Sequence, residues 1–402
     1  MQVGSPHPNK SLLSPKAAPP KSEATSGKTA QRTEPVASSD SISLQAEPSP
    51  SSSPDLSSLK VKSLKAGLLS STTLAGPMGP ALKAGFVDGY LTPLEIKDRC
   101  DQLAKDFPHL VDLIDTGIDT HGYDGKNEAV RGPMNLRYLR LGPKTPDRDQ
   151  KVGVYQYAAP HARERVNPMT MMEFAEQLVR NYDPTSQDPE VQEMTRMLDE
   201  LDVYVAINTN PDGHNFAIYD DPKWRKNRAP VANGQIGVDI NRNYPYEWEP
   251  SDKPESLVYS GEAPASEAET QAILQVREKH PNIKFIVDWH SYGEEIRRPL
   301  NVTDKDNKVY DAMHTRVQEA MEKVAGNRYS TVVSQVTKGT SDDHFYKMND
   351  VYSTVMETGK EFIPDEKEAL VVMRESVEGA KEYLEVAMDW KAGELINSSS
   401  QQ

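Results

Sequence analysis

His161 and Glu164 stand three positions apart in PHARERV (residues 160–166), directly after the apolar run VGVYQYA. At that spacing an imidazole and a carboxylate can converge on one point, and a loop leaving a strand is where a rigid scaffold presents reactive groups. Catalytic zinc takes three protein ligands and leaves a fourth position for water, and two His with one Glu form a common set. His290, at the end of KFIVDWH, completes that set from a second strand end. The competing reading is a surface ion pair between His161 and Glu164, with His290 as a satisfied core residue. What separates the two is the surrounding chemistry.

Three basic or amide-rich stretches supply that chemistry: NTNPDGHNF from Asn208, KWRKNR with Arg225 and Arg228, and VDINRNY with Asn241 and Arg242. Guanidinium groups match carboxylates in a two-pronged fork, so Arg163, Arg225 and Arg242 grouped around a metal would form a receptor for a substrate carboxylate or an oxyanion. Glu357 ends another apolar run, YSTVM.

These residues need a frame. From about residue 91 the chain alternates strand-like and helix-like segments. LRYLRLG, VGVYQYA, DVYVAIN, KFIVDWH and YSTVMETG read as strands. MTMMEFAEQLVRNY, EVQEMTRMLDEL, SEAETQAILQVREKH and the long EALVVMRESVEGAKEYLEVAMDW read as helices. LTPLEIKDRCDQLAKDF opens with Thr92–Pro93, a helix cap and first turn, and Ser266 with Glu269 has the spacing of a capping box. Alternation of this kind implies an α/β fold, a single domain with a central mixed, mainly parallel sheet flanked by helices. Ligands of such sheets bind beyond the carboxyl ends of the strands. His161, Asn208, His290 and Glu357 all have that address.

The flanks differ from this body. Residues 1–60 hold 15 Ser and 9 Pro, and no aromatic residue precedes Phe86. Such a segment cannot bury enough apolar surface to offset its ordering entropy. We therefore expect a disordered leader over 1–88, a catalytic domain over 89–392 and a disordered tail over 393–402. The net charge of -15 is carried by the body, since residues 1–85 are basic on balance. An acidic body argues against nucleic acid as a partner. A single cysteine, Cys100, excludes an intramolecular disulfide and a cysteine-ligated zinc site, and its place in a helix-like stretch indicates packing. No apolar run approaches the length of a membrane span. The first twenty residues lack the apolar core of an ordinary secretory signal, which leaves the compartment open.

HARE, NPDG, WRKNR, DINRN, WHSYG and METG, in that order, resemble the zinc metallocarboxypeptidases of the pancreatic carboxypeptidase A/B type over about residues 91–390. The resemblance implies one zinc ion per chain held by His161, Glu164 and His290. It implies Glu357 as the base that takes a proton from the hydrolytic water, and Arg225 as the oxyanion's partner. Asn241 and Arg242, with Arg163 nearby, would grip the C-terminal carboxylate of a peptide or protein substrate, and Tyr292 would line a subsite. In GTSDDHFYKMND, Asp342 precedes the family's shared Asp343, which implies a pocket for C-terminal Lys or Arg. A monomer is expected.

Three departures stand beside it. Gln335 occupies the place of the family's mobile tyrosine, for which Tyr329 is a candidate replacement. Arg165 stands where an aromatic is usual, and His344 where tryptophan is usual, and both bear on the pocket rim. Two rival readings remain. One is a related zinc amidohydrolase acting on cell-wall or side-chain-linked glutamyl peptides, and the other is a non-catalytic module that binds peptide termini.

Overall fold

The computed structural model describes residues 90–334 and 338–398. The expected leader over 1–88 and Gln335 lie outside the described residues.

The chain begins with α1 (Pro93–Asp106), followed by β1 (Val111–Asp119), β2 (Asn135–Leu141), β3 (Val152–Ala158), α2 (Val166–Arg180), α3 (Pro189–Glu200) and β4 (Leu201–Ala206). Next come α4 (Pro211–Tyr219), α5 (Ala268–Lys279), β5 (Ile283–His290), β6 (Glu295–Arg298) and α6 (Asp304–Ala325). The chain closes with β7 (Ser330–Val333), α7 (Ser341–Asn349), β8 (Tyr352–Glu357), α8 (Glu366–Ala392) and α9 (Leu395–Ser398). The eight strands form one mixed sheet in the order β1-β2-β4-β3-β5-β8-β6-β7. The four central strands β4, β3, β5 and β8 run parallel, so their carboxyl ends share one rim.

The central strands are buried along almost their whole length, as a parallel sheet covered on both sides requires. On one face Val154, Val203, Val287 and Met356 pack against residues of α2, α3, α6 and α8. On the other, Tyr155, Tyr157, Tyr204 and Ile286 meet Ile273 and Val276 of α5 and Phe345 of α7. Helix α1 starts as the sequence indicates. The Thr92 hydroxyl accepts from the Glu95 amide at 3.2 Å, and the Glu95 carboxylate accepts from the Thr92 amide at 2.8 Å. Cys100 lies on the buried side of α1, and burial pushes its thiol up to about 12, so it packs as a neutral group.

Four expectations are corrected. Three strands, β1, β6 and β7, and three helices, α4, α6 and α7, go beyond the segments read from the sequence. The expected capping box of α5 does not form: Glu267 is the N-cap, and the Glu269 carboxylate turns inward to accept from Asn227 Nδ2 at 2.9 Å. The expected tail folds at its start, where Leu395 of α9 is buried in the main core. Asn208 follows β4 but does not join the triad: its side chain pairs with His214 Nδ1 at 2.9 Å.

Candidate metal centre and substrate cleft

β3 delivers its loop by a sharp exit. Ala159, a residue with a side chain, adopts φ 59° at the strand end, a left-handed conformation that costs energy and turns the chain out of the sheet. Asn210, the first residue of NPDG, holds that loop from behind. Its fully buried side chain donates to the Pro160 carbonyl at 2.9 Å and to the Lys226 carbonyl at 3.2 Å. The same side chain caps α4 by accepting from the Gly213 amide at 3.0 Å. Any side chain at Gly213 would strike the Lys226 carbonyl, with a Cβ only 2.5 Å away. The motif therefore ties the His161 loop to the Arg225 loop.

The three predicted ligands meet. His161 Nδ1 lies 2.8 Å from Glu164 Oε1, His290 Nδ1 lies 3.1 Å from Glu164 Oε2, and the two Nδ1 atoms are 3.0 Å apart. All three residues are buried. Their outer nitrogens are already engaged: His161 Nε2 stands 3.0 Å from Asp239 Oδ1, and His290 Nε2 stands 3.0 Å from Asp288 Oδ2. With its Nε2 proton held by that carboxylate, a neutral imidazole at either position would turn a lone pair at Nδ1 toward the other and toward Glu164. Two lone pairs and a carboxylate within about 3 Å repel one another unless a cation lies between them. Donor type, spacing and outer support all fit a divalent ion such as zinc. Among the described residues no other group of His, Cys, Asp and Glu is gathered in this way.

The carboxylates respond to their neighbours. Burial alone would raise Glu164, yet positive charge at His161 and His290, the charge that a cation in the triad would otherwise supply, holds it far below the ordinary carboxylate range. Asp239 is likewise held well below its ordinary value, Arg225 and His161 outweighing its burial. Glu357 moves the other way. Burial raises it, and Glu164 adds to that, while His290 and Arg297 offset part of the rise. Glu357 pairs in register with His290 across β8 and β5. The Thr358 amide donates to the His290 carbonyl at 2.8 Å, and the Thr358 hydroxyl donates to Asn167 Oδ1 at 2.7 Å. The ligand and the neighbouring acid are thus locked together by main-chain geometry.

The guanidinium groups gather on the same rim. Arg225 donates through Nε and Nη2 to Asp239 Oδ2 at 3.0 and 2.9 Å, so one carboxylate orients both His161 and Arg225. Arg163 stacks its guanidinium 3.9 Å over the Phe362 ring, and Tyr292, 40% exposed, meets the same ring edge-on at 4.7 Å. The Asn241 side-chain oxygen accepts from the Ser341 amide at 2.8 Å, which leaves its Nδ2 facing His290 at 3.3 Å. The Arg242 side chain folds back on the Asn241 main-chain carbonyl at 2.6 Å. Gly339 packs so tightly on Arg242 that a Cβ would lie 2.3 Å from its carbonyl oxygen. Asp342, in the first turn of α7, is buried and accepts from Ser334 Oγ. Burial and the charge of Asp342 push Asp343 up to about 6.

Of the four residues named with the three departures, Tyr329, Arg165 and His344 lie among the described ones. Tyr329 is fully buried and its hydroxyl accepts from the Gly359 amide at 3.1 Å, so it supports the β8 exit from inside. Arg165 and His344 are also buried. Arg165 donates to the Ala217 carbonyl of α4, and His344 Nδ1 accepts from the Tyr246 amide at 3.3 Å. Asp239 and Asp288, the carboxylates behind the two imidazoles, were not singled out from the sequence. Asp239 heads the DINRN motif, and Asp288 sits two residues before His290, on the same face of β5.

The zinc carboxypeptidase family model matches residues 96–379. This chain belongs to the zinc carboxypeptidase family. Carboxypeptidase B of Astacus astacus is 31% identical over 262 residues, 62% of this chain and 79% of that protein. Human carboxypeptidase A1 is 30% identical over 285 residues, 67% of this chain and 62% of the human protein. Among solved structures, bovine thrombin-activatable fibrinolysis inhibitor in complex with tick carboxypeptidase inhibitor superposes with a TM-score of 0.63 at 22% identity. That match covers 76% of this chain and 99% of the bovine one, and supports the fold alone. Carboxypeptidase A from Helicoverpa armigera gives 0.61 at 21% identity, covering 82% of this chain and 80% of that one. Members of this family are zinc-dependent peptidases, and the triad of His161, Glu164 and His290 could hold that metal. Among the described residues no helix is long and apolar enough to cross a membrane.

Proposed function

We propose that this zinc carboxypeptidase removes single residues from the C-termini of peptides or proteins and favours Lys and Arg. The observation that carries the reading is the convergence of His161, Glu164 and His290 beside Glu357, on a rim that also holds Arg163, Arg225 and Arg242. Zinc held by the triad would supply Lewis-acid polarisation of the scissile carbonyl and acidify a water. Glu357 takes the water's proton and returns it to the leaving amine. Burial supports that role by raising its carboxyl toward the working pH. Arg225, fixed by Asp239, faces the oxyanion as it forms. Asn241 Nδ2 and the guanidinium groups of Arg242 and Arg163 hold the free C-terminal carboxylate. An internal peptide bond has no such group and would leave these donors unpaired, which makes the enzyme an exopeptidase. Tyr292 flanks the substrate chain on the exposed side.

The preference for basic residues rests on Asp342, a buried carboxylate on the helix that covers β5 and β8. Paired with a Lys or Arg side chain, such an acid discriminates strongly against apolar residues. The test compares hydrolysis of hippuryl-Arg and hippuryl-Phe by purified protein. Faster release of Arg is expected, and faster release of Phe overturns the preference. Glu357→Gln serves as the control and should slow both by about 10²- to 10⁴-fold while zinc stays bound.

A further inference from the structure

Strand β6 reads Glu-Ile-Arg-Arg, and its two arginines face opposite ways. Arg298 turns outward, where Nη1 pairs with Asp311 of α6 at 2.6 Å. Arg297 turns to the catalytic face. In the β6–β8 register Glu295 lies opposite Glu357 and Arg297 opposite Val355, which puts Arg297 and Glu357 on one side of the sheet. Arg297 Nε lies 4.0 Å from Glu357 Oε1, and Nη2 pairs with Glu295 Oε2 at 2.7 Å. The Nε atom has no hydrogen-bond partner although it is shielded from solvent.

Asp342 spans the same ground. Its carbonyl accepts from Ser353 Oγ of β8, and its carboxylate accepts from Ser334 Oγ, just past β7. Since β6 lies between β8 and β7 in the sheet, Asp342 straddles the strand that carries Arg297. A pocket built only to select cationic side chains gains nothing from a second cation beside its anionic floor, because the like charge repels the substrate.

We infer that Arg297 is a second specificity residue, one that gives the pocket a cationic wall beside the anionic Asp342 and admits C-terminal residues with a side-chain carboxylate, Glu or Asp. The guanidinium spends one arm on Glu295, and its planar fork offers further donors to a carboxylate entering past Glu357. The inference rests on the exopeptidase reading and on Asp342 as the pocket floor.

The test uses three peptides identical except for a last residue of Glu, Arg or Leu, with full-length protein and its zinc. Wild-type enzyme should release both Glu and Arg. In Arg297→Met the ratio of kcat/KM for Glu over Leu should fall about 10- to 100-fold, the size of one charge-assisted hydrogen bond, while Arg over Leu rises. Ratios isolate the pocket, because an effect transmitted through Glu357 lowers all three substrates together. Arg297→Gln, which keeps a hydrogen bond to Glu295, decides the matter if the Met variant does not fold. No release of Glu by the wild type, or an unchanged Glu-to-Leu ratio in the folded variant, overturns the inference. Inertness of the wild type on all three peptides would instead sink the exopeptidase reading itself.

Discussion

Opposite ends of the same central strands each bury a cluster of charge, and the clusters are built on different logic. At the amino end, fully buried Asp202 of β4 accepts from Arg140 Nε at 2.9 Å and Nη2 at 2.7 Å. It also accepts from Arg148 Nε at 3.2 Å, Asn282 Nδ2 at 2.9 Å and the Tyr204 hydroxyl. Both Asp202 oxygens have donors, so the buried acceptor is satisfied as it stands even though Arg148 Nη2 has no partner. At the carboxyl end, His161 and His290 turn their Nδ1 atoms toward each other and toward the Glu164 carboxylate, while their Nε2 atoms face Asp239 and Asp288. A buried network whose acceptors all have donors holds the fold together. One whose acceptors converge without a donor is a receptor for a cation.

The sharpest way to break this contrast is to remove the metal. A strong chelator should reduce hydrolysis to background and one equivalent of zinc should restore it, as measured with a chromogenic C-terminal substrate. The metal-free protein should also melt lower, since saturation at 1,000 times Kd stabilises the native state by about 4 kcal/mol. Activity that survives exhaustive chelation, with zinc absent by elemental analysis, would show that the converging acceptors are not a metal centre.

A paired substitution then asks each cluster to behave according to its own logic. Asp239→Asn leaves His161 without the carboxylate that fixes its tautomer, so zinc affinity should drop about 10- to 100-fold. Asp202→Asn leaves two guanidinium groups against a neutral amide. It should cost about 3–5 kcal/mol of stability, with zinc affinity unchanged. Calorimetric zinc titration and denaturant unfolding of both variants read the two quantities. Similar effects on both would erase the distinction.

The carboxyl-end cluster was legible in the sequence because six motifs in order carry the family resemblance, and because His161, His290 and Glu357 each lie at the end of an apolar run. Its supporting acids were hidden, because Asp288 inside an apolar strand and Asp239 before a turn look like ordinary residues until their partners are in place. The central strands announced themselves through Val, Ile and Tyr. β1 did not: VDLIDTGID is an edge strand with several side chains in solvent and acids at intervals. β6 has one apolar residue in four, Ile296, and exists because β8 and β7 pair with it on either side. In α5, Glu269 has the spacing of a cap, but tertiary packing drew its carboxylate inward to Asn227, which the local pattern cannot foretell. Leu395 shows the same override at the end of the chain, where a buried leucine recruits residues that composition would leave unstructured.

Glu269 supplies the last and smallest test, because it is a buried acid with no cation at hand. It is fully buried, one oxygen accepts from Asn227, and the other has no partner. Burial pushes its carboxyl from 4.5 up to about 8, whereas Asp202, buried equally but paired with Arg140, is held below its ordinary value. The native state therefore keeps a proton on Glu269 that the unfolded chain releases near pH 4.5. The corresponding stability is fully present below about pH 4.5 and is lost as pH rises through about 8. A tenfold difference in proton affinity between the folded and unfolded chain corresponds to about 1.4 kcal/mol, so the loss amounts to a few kcal/mol over that window. Glu269→Gln imitates the neutral acid and should flatten this part of the pH–stability curve, which makes the variant the more stable protein at pH 8. Denaturant unfolding at pH 5 and pH 8 measures the difference. Parallel curves for the two proteins would mean that Glu269 is ionised in the native state.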